Sequence, residues 1–216
     1  MQFDSKILNY EVNNDFQEAL DIIINQGRNL FITGSGGVGK STFYEVLSFL
    51  LKQNQKNYVA LAPTGVAAVR IGGQTIHRFF GFPIGPLEPG ISARCNNDPE
   101  KQRIIRAMDV LIIDEVSMVR SDMLTAVDNI LQHVRDVPFP FGGVQVLLIG
   151  DLFQLSPIVK DAAEKELLSD IFGGPYFFQT DTFKFGRFAC KEFSKCYRQK
   201  DQQFKDNLNK VRLGGI

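Results

Sequence analysis

One glycine-rich run constrains this chain more than any other feature: Gly34–Ser41 reads GSGGVGKS and fits the pattern G-x-x-x-x-G-K-S. The run directly follows the apolar segment 29–33 (NLFIT) and opens a segment with helical spacing. Glycines let backbone N–H groups close around a phosphate, and the start of a helix adds partial positive charge. The run therefore predicts a nucleotide-binding loop, with Lys40 on the β and γ phosphates and Ser41 on Mg²⁺. A glycine-rich turn that only caps a helix is the alternative.

Strand-like and helix-like segments alternate along much of the chain. Short runs rich in Val, Ile and Leu are typical of strands buried on both faces of a sheet, and four occur here: 29–33, 58–62, 109–113 and 144–149. Segments with helical spacing lie among them: 41–52, 100–108 and 121–135. The alternation predicts an α/β fold, a mostly parallel sheet with helices on both faces. A length of 216 residues fits one domain or two small ones, and one domain is expected here.

Two other regions carry weaker signals. Residues 81–99 are rich in proline without a clear period, which favours a long surface loop. Ten of the nineteen phenylalanines lie between residues 139 and 193, and most are expected in the core.

The charge and cysteine content limit how the chain could contact nucleic acid and in which cellular compartment it is expected. Lys and Arg number 24 against 24 Asp and Glu, so any contact with nucleic acid must be local. Residues 187–212 provide a local excess of eight basic against three acidic side chains. The cysteines (Cys95, Cys190 and Cys196) have no metal-binding spacing and are expected to be buried. Without an apparent signal peptide or membrane span, these features predict a reducing intracellular location, cytoplasmic or nuclear (or nucleoid).

A pair of carboxylates, Asp114-Glu115, ends the apolar run 109–113. Phosphoryl transfer to water needs one group to hold the metal and another to orient the water. The carboxyl edge of a parallel sheet is where such ligands bind. The pair therefore predicts Asp114 as a Mg²⁺ ligand and Glu115 as the group that activates water. Alone, such a pair would be more typical of a solvated turn.

Two further strand ends carry candidate residues. Gly150-Asp151 ends the run 144–149 and places Gln154 near the same edge, although Gly-Asp is also an ordinary turn and Gln154 could be an ordinary surface residue. Thr64 and Gly65, in the run APTGVAA, follow another strand and open a helix, which would suit a second anionic ligand. A role for Thr64 as an ordinary helix N-cap is equally compatible with these residues.

Taken in order, these segments resemble the first RecA-like domain of a superfamily I DNA helicase. The resemblance is strongest to the petite-integration-frequency (PIF) family, a relative of the RecD-type helicases. The matching segments are 34–42 (GSGGVGKST), 62–81 (APTGVAAVRIGGQTIHRFFG), 111–119 (LIIDEVSMV), 150–159 (GDLFQLSPIV) and 196–199 (CYRQ). The run 62–81 discriminates best, because P-loops and Asp-Glu pairs occur in many ATPases whereas this run is typical of the PIF group. The similarity extends from about Gln17 to Arg212.

The resemblance implies a RecA-like P-loop NTPase that uses ATP and Mg²⁺. Its implied nucleotide contacts are Gln17, Gly34, Ser35, Gly36, Gly37, Val38, Gly39, Lys40, Ser41 and Thr42. Gln17 would read adenine, with an exposed helix residue as the alternative. Gln154 would couple the γ-phosphate to the DNA site. Arg198 would contact the γ-phosphate, with an ordinary surface arginine as the alternative.

The same resemblance implies a path for single-stranded DNA. Thr64 and Gly65 would bind its phosphates, and His77 and Arg78 would lie beside the same strand, although His77 could equally be a structural histidine. The segment 150–159 departs from the family pattern, because Ser156 replaces the first of two prolines.

The family would continue into a second RecA-like domain that supplies an arginine finger, worth roughly 10³ to 10⁵ in rate in related systems. We therefore expect residues 1–216 to form a single N-terminal ATPase domain, monomeric and without a membrane partner. Such a domain should bind nucleotide better than it hydrolyses it and should not unwind DNA alone. The expected function is the motor of an ATP-dependent, 5′-to-3′ DNA helicase.

Two other functions fit the residues less well or only in part. A nucleotide-dependent DNA-binding module without turnover would use the same loop and carboxylates. Another P-loop enzyme is disfavoured, since a GTPase would carry a guanine-reading NKxD run and a small-molecule kinase would not need Glu115 beside Asp114.

Overall fold

A computed structural model describes residues 13–88, 90 and 98–195 of the chain. In this part of the chain, six parallel strands form one sheet in the order β3-β2-β4-β5-β1-β6. The strands are β1 (Leu30–Thr33), β2 (Tyr58–Ala62), β3 (Gln74–Thr75), β4 (Val110–Ile113), β5 (Gln145–Ile149) and β6 (Ala189–Glu192). Since β5 lies between β1 and β4, the loops that follow these three strands meet at one edge of the sheet.

The helices of the described chain are α1 (Asn14–Leu20), α2 (Lys40–Gln53), α3 (Gly65–Arg70), α4 (Ile76–Phe80), α5 (Pro99–Ala107), α6 (Ser121–Arg135), α7 (Ala162–Phe172) and α8 (Asp181–Phe185). A short π-helical segment, Asp21–Asn25, continues α1, and 3₁₀ turns occupy Val116–Met118, Pro140–Gly143 and Phe177–Gln179. Many of the helix starts are fixed locally, because a polar N-cap side chain accepts a hydrogen bond from a first-turn N–H group. The capping residues are Asn13, Thr64, Thr75, Asp98, Asp161 and Thr180.

The sheet has an apolar core on each face, as expected when alternate side chains of a strand point in opposite directions. In β4, Leu111 and Ile113 pack with α5 and α6, whereas Val110 and Ile112 pack with α1, α2 and α3. All four residues are buried, so β4 is apolar throughout. This arrangement confirms the predicted α/β fold with helices on both faces.

The predicted elements agree with the structure within one residue at each end, and segment 121–135 forms α6 as predicted. The sequence pattern missed β3, β6, α7 and α8 and the short helices α1 and α4, whereas the helix predicted to open at Thr64 and Gly65 is present as α3. Within the predicted loop 81–99, Phe82 and Leu87 are buried, so that segment does not simply cover the surface. The Leu87 N–H also donates a 2.7 Å hydrogen bond to Asp122 Oδ2, which ties the loop to α6.

Two predictions about burial are wrong. Of the ten phenylalanines between residues 139 and 193, only three are buried, Phe141, Phe177 and Phe193. Cys190 is exposed because it lies on β6, a strand at the edge of the described sheet, while Cys95 and Cys196 lie outside the described residues. In the described part of the chain, every helix is too short or too polar to cross a membrane.

Candidate nucleotide-binding site

The predicted phosphate loop connects β1 to α2 at the carboxyl edge of the sheet. Gly34 has φ +144°, and a Cβ atom there would lie 2.5 Å from the carbonyl oxygen of Phe193, so only glycine fits. Gly39 has φ +91° in the left-handed region and occupies the N-cap position of α2. Since glycine has no side chain to cap the helix, the first N–H groups of α2 face the loop. This arrangement is that of an anion-binding helix start.

Lys40 is the first residue of α2, and its ammonium group folds back over the loop. Its Nζ donates hydrogen bonds to the carbonyl oxygens of Gly34 (2.6 Å) and Ser35 (3.0 Å). The positive charge is thus held at the loop, where it would meet an incoming phosphate. Ser41 follows as an exposed residue in the first turn of α2, with its hydroxyl group near the same helix start.

Asp114 and Glu115 lie directly after β4, as predicted. Asp114 is buried, with 8% of its surface exposed, and its N–H extends the sheet by donating to Leu61 O at 2.9 Å. Glu115 has φ 52° and ψ 42°, a left-handed conformation that costs a non-glycine residue roughly 1–2 kcal/mol. Strain of this kind is often found where a structure fixes a functional side chain. Here it turns the chain sharply between the two carboxylates.

Arg70, at the end of α3, pairs with both carboxylates. A single nitrogen, Nη2, lies 2.7 Å from Asp114 Oδ2 and 2.8 Å from Glu115 Oε1. Burial works against the charged guanidinium, but hydrogen bonds to Asp114 and Glu115 raise the pKa of Arg70 overall. Arg70 could not be identified from the sequence, because an arginine in the last turn of a helix is ordinary.

Asp151 and Gln154 follow β5, the strand between the phosphate loop and the carboxylate pair. Asp151 is buried and accepts hydrogen bonds from the N–H of Phe153 (3.1 Å) and from Nε2 of Gln154 (3.0 Å). A cavity of about 180 Å³ lies beside them. Its lining includes Thr64, Arg70, Glu115, Ser117 and Gln154. The structure therefore places residues from three of the predicted segments around one cavity.

The four predicted DNA contacts lie on two short helices. Thr64 is the N-cap of α3, where its Oγ1 accepts a hydrogen bond from the N–H of Ala67, and Gly65 begins the helix. His77 and Arg78 lie in α4, capped by Thr75. Burial lowers the pKa of His77 below its ordinary value, and the nearby charge of Arg120 acts in the same direction.

Gln17 lies on α1, which packs against the helix of the phosphate loop. The ring of Phe16 meets that of Phe43 on α2 at 5.5 Å and that of Phe193 at 4.9 Å. This cluster fixes α1 beside α2, and Gln17 remains partly exposed. Arg198, the predicted γ-phosphate contact, lies outside the described residues.

Tyr44 is a further residue that the sequence did not reveal. It lies on α2, one turn after Lys40, and its hydroxyl donates a 2.7 Å hydrogen bond to the carbonyl of Ile71. Burial raises the pKa of Tyr44 to about 12, and the charge of Asp114 contributes. Tyr44 thus links the phosphate-loop helix to the residue next to Arg70.

The residues present are suited to a nucleotide with Mg²⁺. A Cβ atom at Gly36 would meet no other atom within 4 Å, so the loop leaves open space beside this glycine for a phosphate. Asp114 and Ser41 offer the oxygen ligands that Mg²⁺ prefers. The two carboxylates already attract a cation, because Arg70 pairs with both.

Comparison with known proteins agrees with this geometry. The model of the family described as PIF1-like helicase matches residues 7–216. Among similar curated proteins, the ATP-dependent DNA helicase PIF1 of Saccharomyces cerevisiae (strain YJM789) is 33% identical over 204 residues, covering 93% of this chain and 23% of that protein. The ATP-dependent DNA helicase Pif1 of Bdellovibrio bacteriovorus is 31% identical over 209 residues, covering 95% of this chain and 44% of that protein. The chain thus spans less than half the length of these relatives.

Solved structures of Pif1 helicases have the same fold. Bacteroides Pif1 bound to single-stranded DNA has a TM-score of 0.87 and 39% identity, over 96% of this chain and 47% of that one. The Bacteroides enzyme in complex with ADP-AlF3 and single-stranded DNA has a TM-score of 0.88 and 38% identity, over 96% of this chain and 47% of that one. Pif1 from Candida albicans has a TM-score of 0.80 and 31% identity, over 94% of this chain and 44% of that one. With a family model that matches nearly its whole length, the chain belongs to the PIF1-like helicase family.

Proposed function

We propose that this chain is the ATP-binding motor domain of a DNA helicase that moves 5′-to-3′ along single-stranded DNA. One observation carries the proposal: the phosphate loop, the Asp114-Glu115 pair and Gln154 follow three adjacent strands of the sheet. Ligands of open α/β folds bind at this edge. The family relationship supports the same function, because the relatives are ATP-dependent DNA helicases.

In this proposal the loop from Gly34 to Thr42 holds the phosphates of ATP. Lys40 neutralises their charge, and Gln17 contacts the adenine base. Ser41 and Asp114 hold Mg²⁺, which when bound neutralises charge on the transferred phosphoryl group. Glu115 orients the attacking water, and its fixed left-handed backbone beside Asp114 supports this role.

Gln154 and Arg198 complete the proposed hydrolytic site. The bond from Gln154 to Asp151 supports this role for Gln154, because it holds the amide beside the cavity that Glu115 lines. Arg198 would contact the γ-phosphate. A second RecA-like domain would supply further groups, and the short span of this chain relative to its relatives supports that part of the proposal.

The proposed DNA contacts are Thr64, Gly65, His77 and Arg78. Thr64 and Gly65 begin α3, and Thr64 lines the same cavity as Glu115 and Gln154. The proximity supports communication between bound DNA and the hydrolytic site. The solved Bacteroides Pif1 structure with bound single-stranded DNA supports a DNA-binding role for this domain.

The proposal is tested with residues 1–216 and with a two-domain version that also carries the proposed second domain. Binding of a fluorescent ATP analogue in the presence of Mg²⁺ is measured first. Lys40→Ala should weaken this binding about 10- to 100-fold, because a charged hydrogen-bond donor is lost. Wild-type affinity in the variant would remove Lys40 and the loop from the proposed site.

Hydrolysis is measured next, with and without an oligothymidine strand. The strand should stimulate ATP hydrolysis in the two-domain version and have little effect on residues 1–216. If both versions bind nucleotide but DNA stimulates neither, the motor proposal fails and a nucleotide-dependent binding module is the better description. Unwinding of duplexes with a 5′ or a 3′ single-stranded tail then tests the direction.

A further inference from the structure

Arg70 occupies an unusual position between two carboxylates that are adjacent in sequence. Its Nη2 atom donates to Asp114 Oδ2 at 2.7 Å and to Glu115 Oε1 at 2.8 Å. Side-chain exposure is 12% for Asp114 and 24% for Glu115, so neither charge is fully solvated. Two carboxylates in this setting repel each other unless a cation lies between them. Arg70 supplies that cation.

The backbone that carries Arg70 is fixed on two sides. The hydroxyl of Tyr44 binds the carbonyl of Ile71, the residue that follows Arg70. Farther on, a Cβ atom at Gly73 would lie 2.1 Å from the carbonyl oxygen of Ala60, so this turn packs directly on β2. The end of α3 therefore cannot shift easily. Movement of Arg70 away from the carboxylates would therefore come from its side chain rather than from its backbone.

The side chain of Arg70 has room for such a movement. It is 49% exposed, far more than either of its partners. It also borders both the cavity beside Gln154 and an open cleft between α2 and β2 that is lined by Tyr44 and Lys52. Because an arginine keeps its charged head toward water, the guanidinium of Arg70 can leave the two carboxylates and remain hydrated.

We infer that Arg70 is a resident cation that Mg²⁺ must displace from Asp114, and that it thereby sets the Mg²⁺ concentration at which nucleotide binds. The inference rests on the proposed function, in which Asp114 is a Mg²⁺ ligand. Both cations need the carboxylate oxygens of Asp114, and their like charges oppose simultaneous binding. The same nitrogen also holds Glu115, so displacement of Arg70 releases the residue that orients water. Metal loading and activation of Glu115 become one event.

The test is a Mg²⁺ titration of binding of a fluorescent ATP analogue, performed on Arg70→Gln and on wild-type protein after removal of metal with EDTA. The half-saturating Mg²⁺ concentration should fall about 2- to 30-fold in Arg70→Gln, the range that follows from losing two partly exposed ion contacts. At saturating Mg²⁺, both proteins should bind the analogue equally. An unchanged or higher Mg²⁺ requirement would overturn the inference. Weaker binding at every Mg²⁺ concentration would also overturn it, because Arg70 would then contact the nucleotide.

Two matched variants separate charge from shape. Arg70→Lys keeps the positive charge. Because a single nitrogen of Arg70 makes both contacts, the ammonium group of lysine can take its place. The Mg²⁺ requirement of Arg70→Lys should therefore remain within about threefold of wild type. Arg103→Gln removes the same charge from the exposed side of α5 and should leave the titration unchanged. A shift in Arg103→Gln equal to that in Arg70→Gln would reduce the effect to net charge and contradict the inference.

Thermal unfolding provides a readout that needs no nucleotide. Without metal, Arg70→Gln should unfold at a lower temperature than wild type, because its two carboxylates are left unpaired. Mg²⁺ alone should raise the melting temperature of Arg70→Gln more than that of wild type. An equal response of the two proteins would contradict displacement.

Asp114→Asn distinguishes failure of this inference from failure of the proposed function. If Asp114→Asn keeps the wild-type Mg²⁺ dependence, Asp114 is not the metal ligand and the proposed site is wrong. If Asp114→Asn loses that dependence while Arg70→Gln titrates as wild type, only the role of Arg70 is wrong.

Discussion

The carboxylate of Asp151 accepts a 3.0 Å hydrogen bond from the side-chain amide of Gln154. The bond joins a buried residue at the end of β5 to an exposed residue in the following loop. It gives Gln154 a defined position at the cavity edge without burying it. The position of Gln154 therefore depends on Asp151 more than on packing of the loop.

Substitution of Gln154 should affect only ATP hydrolysis, whereas substitution of Asp151 should affect both hydrolysis and folding stability. Gln154→Ala should lower DNA-stimulated ATP hydrolysis about 100-fold in the two-domain version, because a polar group aimed at the reacting phosphate is lost. Its urea unfolding curve should match wild type. Asp151→Ala should lower hydrolysis as well and should also cost about 1–3 kcal/mol of folding free energy, because two hydrogen bonds to a charged, buried acceptor are lost. Equal stability of the two variants would contradict the proposed role of Asp151 in holding the loop that carries Gln154.

Two substitutions at Glu115 separate the chemical role of its carboxylate from the strain of its backbone. Glu115→Gln keeps the side-chain shape and should retain nucleotide binding while hydrolysis falls at least about 100-fold, as for loss of a general base. Glu115→Gly should also lose hydrolysis but be more stable by about 1 kcal/mol than Glu115→Gln, since glycine adopts φ 52° without penalty. Urea unfolding of both variants measures the difference. A less stable glycine variant would show that the left-handed backbone stores no strain.

The sequence predicted the central strands well because strands buried on both faces are continuous apolar runs, as in β4. It missed β6, whose residues ACKE are only partly buried at the sheet edge. It also placed too many phenylalanines in the core, because composition does not reveal which rings face solvent; Phe139 and Phe185 are about two-thirds exposed.

The candidate site was predictable where its chemistry is contiguous in sequence. Gly34–Ser41 and the Asp114-Glu115 pair are local motifs, and the structure places both at the predicted edge. The contact of Arg70 with Asp114 joins residues 44 positions apart, so no local pattern could reveal it. The bond from Tyr44 to Ile71 likewise depends on how α2 packs beside α3.

Tyr44→Phe should destabilise the fold by about 1 kcal/mol, because the carbonyl of Ile71 loses its donor. The loss should also depend on pH. A folded-state pKa of about 12, above the ordinary 10.0, means that the neutral hydroxyl stabilises the fold below pH 10 and that this contribution disappears between pH 10 and about 12. The stability of Tyr44→Phe should therefore decline less steeply in that window, as measured by urea unfolding at several pH values. Parallel curves would contradict a stabilising hydroxyl.

Gln17→Ala should reduce the preference for ATP over GTP by about tenfold, the effect of one hydrogen bond to a base. The packing of Phe16 against Phe43 fixes α1 beside the phosphate-loop helix, so the backbone that presents Gln17 should remain in place. Competition of ATP and of GTP against a fluorescent ATP analogue gives the ratio of affinities. Glu18→Ala is the matched control, because Glu18 is exposed on the same helix and pairs with Lys191 on β6. If Gln17→Ala keeps the wild-type ratio, or if Glu18→Ala changes it equally, Gln17 does not read the base and is an exposed helix residue.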